Sequence, residues 1–159
     1  MKLTVKKMSQ KQENKVAKDL KAKTVVASGA LWGAKGDVRN DKFLVECKTT
    51  EKAYYTLTKK VWCKIRSEAI NDGLRIPLMC VEIQGRAYAV IEKSMIEEHL
   101  TKHQIEPIIS VVSSKSFRVK DLIETEFIEF KTQWVDRLKI ELVQMSWDSF
   151  LSIVEEYYE

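Results

Sequence analysis

The tightest constraint on this chain is a strand with two charges built into it. Phe43-Leu44-Val45 opens as an apolar run, and Glu46-Cys47-Lys48 continues it with a carboxylate and an ammonium two residues apart. Side chains two apart on a strand leave by the same face, so Glu46 and Lys48 stand side by side. Placing such a pair next to a run that looks buried is costly unless the charges are paired or bind something. Directly after Gly36, and separated from Glu46 by eight residues, stands Asp37. An exposed hairpin decorated with charges is the competing interpretation.

Asn40-Asp41 is a good turn pair and predicts an antiparallel hairpin of Gly36 to Arg39 with Phe43 to Lys48. An even-length turn centred there pairs Arg39 with Lys42 and Asp37 with Leu44. Asp37 then shares the face of Glu46 and Lys48, at a diagonal Cα separation from Glu46 of roughly 7–8 Å. Val38, Phe43, Val45 and Cys47 turn to the opposite face, against the core. A three-residue turn reverses this parity.

With 159 residues, 45% of them hydrophobic and 31% charged, the chain has room for one domain with a real core, or for that domain plus an appended portion. Five Gly and two Pro argue against a long flexible linker. No apolar run approaches the roughly 20 residues that span a bilayer, and Met1 to Lys7 lacks the apolar core of a secretion signal. The cysteines Cys47, Cys63 and Cys80 are odd in number and form no CxxC, which suits a reducing, cytoplasmic setting. The net charge of +4 conceals an asymmetry: residues 1–66 carry 17 Lys and Arg against 6 Asp and Glu, and the remainder is acidic. A basic front and an acidic rear suggest a polyanion docking at the front, although lysine is also a common solubilising residue.

Along the chain, Ser9 to about Lys23 reads as a helix, with Ser9 and Gln12 resembling a capping box. Glu13, Val16, Ala17 and Leu20 share one of its faces. Val25 to Ser28 reads as a short strand, followed by a loop holding Gly29, Gly33 and Gly36. Thr56 or Thr58 caps a helix to about Asp72, with Val61, Ile65 and Ala69 on its inner face and Gly73 as its stop. Pro77 to Ile83 and Ala87 to Ile91 read as strands joined through Gln84-Gly85-Arg86. Ser94 with Glu97 opens a helix ending near His103. Ile108 to Val112, Phe117 to Val119 and Lys139 to Met145 read as strands, and Ser146 to about Tyr157 as a last amphipathic helix.

Carboxylates meeting a lysine suit phosphodiester hydrolysis. A divalent cation between two carboxylates polarises a phosphate and lowers the pKa of a bound water, and Mg²⁺ needs few protein ligands. A lysine beside it stabilises developing charge or orients the water. The Cys47 carbonyl, between the two site residues, is a further possible ligand.

The Asp, spacer, Glu-x-Lys arrangement resembles the PD-(D/E)xK nucleases, with Gly36 where many members have proline. The order of elements over roughly residues 8–93 is similar to the archaeal-type Holliday junction resolvases and related phage nucleases. The resemblance rests on a helix with Glu13, Ser28-Gly29 and a glycine-containing loop, then Gly36-Asp37, Val45-Glu46-Cys47-Lys48, a Thr/Lys-rich segment, a helix and a Pro-initiated strand. It implies an α/β, restriction-endonuclease-like fold, with a mixed central sheet flanked by helices. Residues 1–93 would be the nuclease core and 94–159 a C-terminal α+β extension packed on it. It also implies a metal-dependent DNA endonuclease selective for branched DNA. Nicking, repair or restriction of linear DNA by the same fold, or DNA binding without catalysis, are the alternatives. Asp37 and Glu46 would hold Mg²⁺, with Mn²⁺ as a substitute, and Lys48 would be the catalytic lysine. Glu13 would assist the metal, unless it is a first-turn acid favoured by the helix dipole. A homodimer is expected, with DNA as partner, no membrane and no organic cofactor. A phage-encoded chain would work in its host's cytoplasm. Asn14 replaces the arginine that often follows the helix glutamate, and Ala30 to Lys35 is no family signature.

Ser28 corresponds to a serine near the cleavage site in the resolvases, or is a turn hydroxyl. Lys35, Arg39, Lys52, Lys59, Lys60 and Lys64 form a set able to meet phosphates, each alone being ordinary surface. Trp32 stacks on nucleic acid or packs in its loop, and Thr49 and Thr50 bond phosphate or simply end the strand. His99 and His103 have a metal-binding i, i+4 spacing but no third ligand evident in sequence. There is no P-loop, GxGxxG after a strand, or GxSxG.

Overall fold

The structure, a computed structural model, describes residues 5–24, 37–134 and 140–159. It is α/β, with a mixed central sheet flanked by helices. The chain runs α1 (Val5–Asp19), β1 (Lys23–Thr24), β2 (Val38–Arg39), β3 (Phe43–Thr50), β4 (Tyr54–Thr58), α2 (Lys59–Asn71), β5 (Ile76–Ile83) and β6 (Arg86–Glu92). There follow a 3₁₀ turn (Lys93–Met95), α3 (Glu97–Lys102), β7 (Ile108–Val111), β8 (Ser116–Lys120), β9 (Ile128–Lys131), β10 (Glu141–Ser146) and α4 (Trp147–Tyr157). The sheet has the order β1-β2-β3-β5-β6-β10-β9-β7, and β4 pairs with β8 in a separate ribbon. Pairing is parallel for β3 with β5 and for β7 with β9.

Alternation along the central strands divides the core into two layers. Leu78 and Cys80 of β5, Ala89 and Ile91 of β6 and Val143 and Met145 of β10 face α1, α3 and α4, where Val16, Leu20, Leu100, Phe150 and Ile153 are buried. Met79, Val81, Tyr88, Val90 and Leu142 face the other way, toward Trp62 and Ile65 of α2, Leu57 of β4 and Val119 of β8. Burying each large apolar side chain stabilises the fold by about 1.5–3 kcal/mol before entropy is counted. Residues 94–159 join this sheet directly, because β10 lies antiparallel against β6 from Leu142↔Glu92 to Ser146↔Tyr88.

The local chemistry explains the boundaries. Thr58 is the N-cap of α2, its Oγ1 accepting from the Val61 N–H at 3.2 Å, and Gly73 just past the helix has φ of 80°. Ser146 caps α4 through the Ser149 N–H. Gln84 and Gly85 both take positive φ, 50° and 83°, which fits the two-residue turn between β5 and β6.

Three expectations are corrected. Ser9 lies inside α1, so the predicted capping box does not form; Gln12 instead turns into the core and bonds β3 and β5. Ser94 lies in the 3₁₀ turn, and α3 starts without a side-chain cap. The hairpin corner sits one residue later than predicted. Asn40 Oδ1 accepts from the N–H groups of Lys42 and Phe43, at 2.9 and 2.7 Å, and leaves Asp41-Lys42 as the turn. The register is therefore Arg39↔Leu44 and Val38↔Val45, in place of Arg39 with Lys42 and Asp37 with Leu44. The predicted strand over residues 25–28, the glycine loop that follows and Lys139 lie outside the described residues. Among the described residues no helix is long and apolar enough to cross a membrane.

Candidate functional site

The paired register ends at Val38↔Val45, and Asp37 is the residue just before β2. Its backbone N–H donates to the Val45 carbonyl at 2.9 Å, and its Oδ2 accepts from the Cys47 N–H at 2.8 Å. The loop was even in length, so parity held and Val38, Phe43 and Val45 are buried beneath. On β3, Lys48 Nζ stands 3.4 Å from Glu46 Oε1. Helix α1 lies against β2 and β3 and brings in Glu13. Glu13 is mid-helix and half-buried, so it is not a first-turn acid.

Gln12 fixes that helix in place. Its Nε2 donates to the carbonyls of Lys48 at 2.9 Å and Cys80 at 3.1 Å. Its Oε1 is buried without a partner among the described residues, the kind of acceptor that water or an ion completes.

The electrostatics show three carboxylates set against one another. Burial and then the Asp37 charge push Glu13 up. Glu46 is raised by burial first and by Asp37 next, which together outweigh the opposing pull of Lys48. Asp37 is raised by burial against the Cys47 hydrogen bond, Lys48 and Lys64. Burial opposes the charge on Lys48, but Glu46, Tyr55 and Asp37 outweigh it and its pKa is raised, so it stays an ammonium. The Cys47 thiol is held well above its usual range by burial, then by Cys80 and by Asp37, Glu13 and Glu46. Clustered carboxylates destabilised by one another fit a hard divalent cation. The oxygens of Glu13, Asp37 and Glu46 do not all come within 4.8 Å of one another; among the described residues that closeness belongs to His99, His103 and Glu156. Two carboxylates suffice for Mg²⁺, which keeps several waters.

The wider set divides. Lys64 of α2 acts on Asp37 and pairs with Glu68 at 3.9 Å. Lys52 and Lys60 are exposed and Lys59 is half-buried, and Thr50 Oγ1 accepts from the Lys52 N–H at 3.0 Å. Arg39 instead pairs with Asp72 at 3.1 Å, away from the carboxylates. Cys47 meets Asp37 through its N–H. Ser28, Trp32 and Lys35 lie outside the described residues. Sequence reasoning missed Gln12 as a positioning residue, and it missed Tyr55 and Glu68, whose charges act on Lys48 and Glu46 respectively. A buried glutamine beside an apolar helix face was the available signal for the first.

A stability prediction follows from Glu46. Its raised pKa means the folded chain holds that proton to higher pH than the unfolded chain does. Without metal, stability therefore falls as pH rises from the ordinary carboxylate range through the raised value. Glu46→Gln is expected to stabilise the metal-free chain near neutral pH by on the order of 1 kcal/mol and to flatten this dependence. Urea unfolding at a series of pH values measures both, and a variant weaker than its parent at neutral pH counts against the strained cluster.

Compared with protein-family models, curated proteins and solved structures, the chain gives no significant match in any of the three.

Proposed function

We propose that this protein is a Mg²⁺-dependent endodeoxyribonuclease of the PD-(D/E)xK kind, with a restriction-endonuclease-like core, that cuts branched DNA such as Holliday junctions. The observation that carries the reading is Asp37, just before β2, accepting from the Cys47 N–H and acting through its charge on Glu46, with Lys48 beside Glu46 on β3. Asp37 and Glu46 would hold the cation, with Glu13 assisting from α1. The bound ion supplies Lewis-acid polarisation of the phosphate and acidifies water. Lys48, kept protonated by Glu46, stabilises the charge that develops on the phosphate and does not act as a resting base. Gln12 orients α1 so that Glu13 faces Asp37. Lys52, Lys59, Lys60 and Lys64 meet DNA phosphates, which position the duplex without reading sequence. Paired cuts call for a homodimer, and the exposed edge strand β7, with Ile109 57% and Val111 79% exposed, is the surface suited to a second copy.

The test incubates the chain with Mg²⁺ on a four-way junction and on a matched linear duplex. Symmetric nicks near the crossover are the expected result. Equal cutting of both substrates points to a nickase, repair or restriction activity of the same fold. Tight, salt-sensitive binding with no cutting in any divalent metal replaces the enzyme with a binding module.

A further inference from the structure

The last turn of α3 carries a second constellation, far from phosphodiester chemistry in character. His99 and His103 stand one helical turn apart, the His103 N–H donating to the His99 carbonyl at 3.0 Å, so both rings turn to the same side. Helix α4 supplies what the sequence spacing lacked. Glu156 Oε2 lies 3.2 Å from His99 Nδ1 and 3.0 Å from His103 Nε2. The imidazole centroids are 4.3 Å apart, and the Tyr157 ring meets the His99 ring edge-on at 5.8 Å. We propose that His99, His103 and Glu156 form a transition-metal site of the zinc class, which ties α3 to α4.

The warrant is the match between these contacts and the shape of a coordination sphere. Zinc bonds of about 2.0–2.2 Å to nitrogen and oxygen set adjacent ligand atoms of a tetrahedron about 3.3–3.5 Å apart. The two His–Glu pairs need to open by only a few tenths of an ångström to admit the ion, and the ligand atoms all lie within 4.8 Å of one another. Two imidazoles with one carboxylate suit Zn²⁺, whereas Mg²⁺ prefers an all-oxygen shell such as the one on the hairpin. His99 is buried, so its ring is held in place beside Glu156. Lys102 Nζ, 2.5 Å from Glu156 Oε1, competes with an ion for the same carboxylate. Both histidines reach Oε2, so the two demands fall largely on different oxygens.

The test uses the full chain carrying Asp37→Asn, which weakens the hairpin carboxylates, stripped with chelator. It is titrated with Zn²⁺ by calorimetry and with Co²⁺ by visible absorption, and Tm is followed with and without Zn²⁺. One saturable equivalent and a Zn²⁺-dependent rise in Tm are expected. Glu156→Gln and His103→Ala in this background are expected to weaken Zn²⁺ by about tenfold or more and to remove the rise in Tm. Lys102→Met keeps all three ligands and removes the competitor, so its affinity for Zn²⁺ is expected to increase. Equal affinity in the parent and in Glu156→Gln, or no saturable uptake by the parent, overturns the site. Unchanged or weaker affinity in Lys102→Met does the same, even where loss of a ligand unfolds α4. No readout involves DNA, so the result stands apart from the nuclease assay.

Discussion

Asp37→Asn is expected to remove DNA cleavage and leave DNA binding in place. Asparagine has the shape of aspartate and keeps an oxygen for the Cys47 N–H, so the hairpin survives. What disappears is the negative charge that would hold a cation opposite Glu46. The loss in single-turnover rate is expected at about 10²–10³-fold or more, the scale of removing one preorganised charge from a transition state. Lys48→Ala is expected to fail by a similar factor for a different cause, since the cation that stabilises the phosphate is gone and Glu46 loses its 3.4 Å partner. Binding measured in the absence of divalent metal should hardly change in Asp37→Asn, because in the proposed reading lysines on α2 and after β3 would supply it. Retained cleavage in either variant removes the catalytic interpretation.

Phe150→Ala is expected to destabilise the whole molecule by about 3–5 kcal/mol. Phe150 is fully buried on α4, packing edge-on against Phe43 at 5.6 Å and tilted against Trp147 at 5.2 Å. Phe43 opens the strand that carries Glu46 and Lys48, so a cavity at Phe150 removes a neighbour of that strand's first residue. Because β10 pairs with β6 from Leu142 to Ser146, unfolding should remain one cooperative transition by circular dichroism and by tryptophan fluorescence. Two separated transitions would instead mean that residues 1–93 fold independently of the rest.

Legibility in the sequence tracked how local each signal was. The α2 cap at Thr58, its buried Ile65 and Ala69 and its stop at Gly73 are set within a few turns, and they match the spacing. The parity that puts Val38 opposite Val45 depended only on an even loop, and that much could be deduced. The register could not, because the Asn40 side chain takes over the corner and moves it one residue along. Strands β4 and β9 went unread; each is short, β4 pairs with the distant β8, and β9 pairs in parallel with β7. Gln12 was assigned to a cap because its core role needs β3 and β5 beside it. Glu156 was invisible as a partner of His99 and His103 because 53 residues separate it from His103.

The layer under the hairpin has a consequence for biosynthesis. Phe43 rests on Phe150 and Tyr158, contributed by residues translated long after β3. A ribosome-bound fragment ending before α4 would carry Asp37, Glu46 and Lys48 yet lack the aromatic side chains that pack on Phe43. The hairpin of the nascent polypeptide therefore stays without that support until the helix emerges and docks.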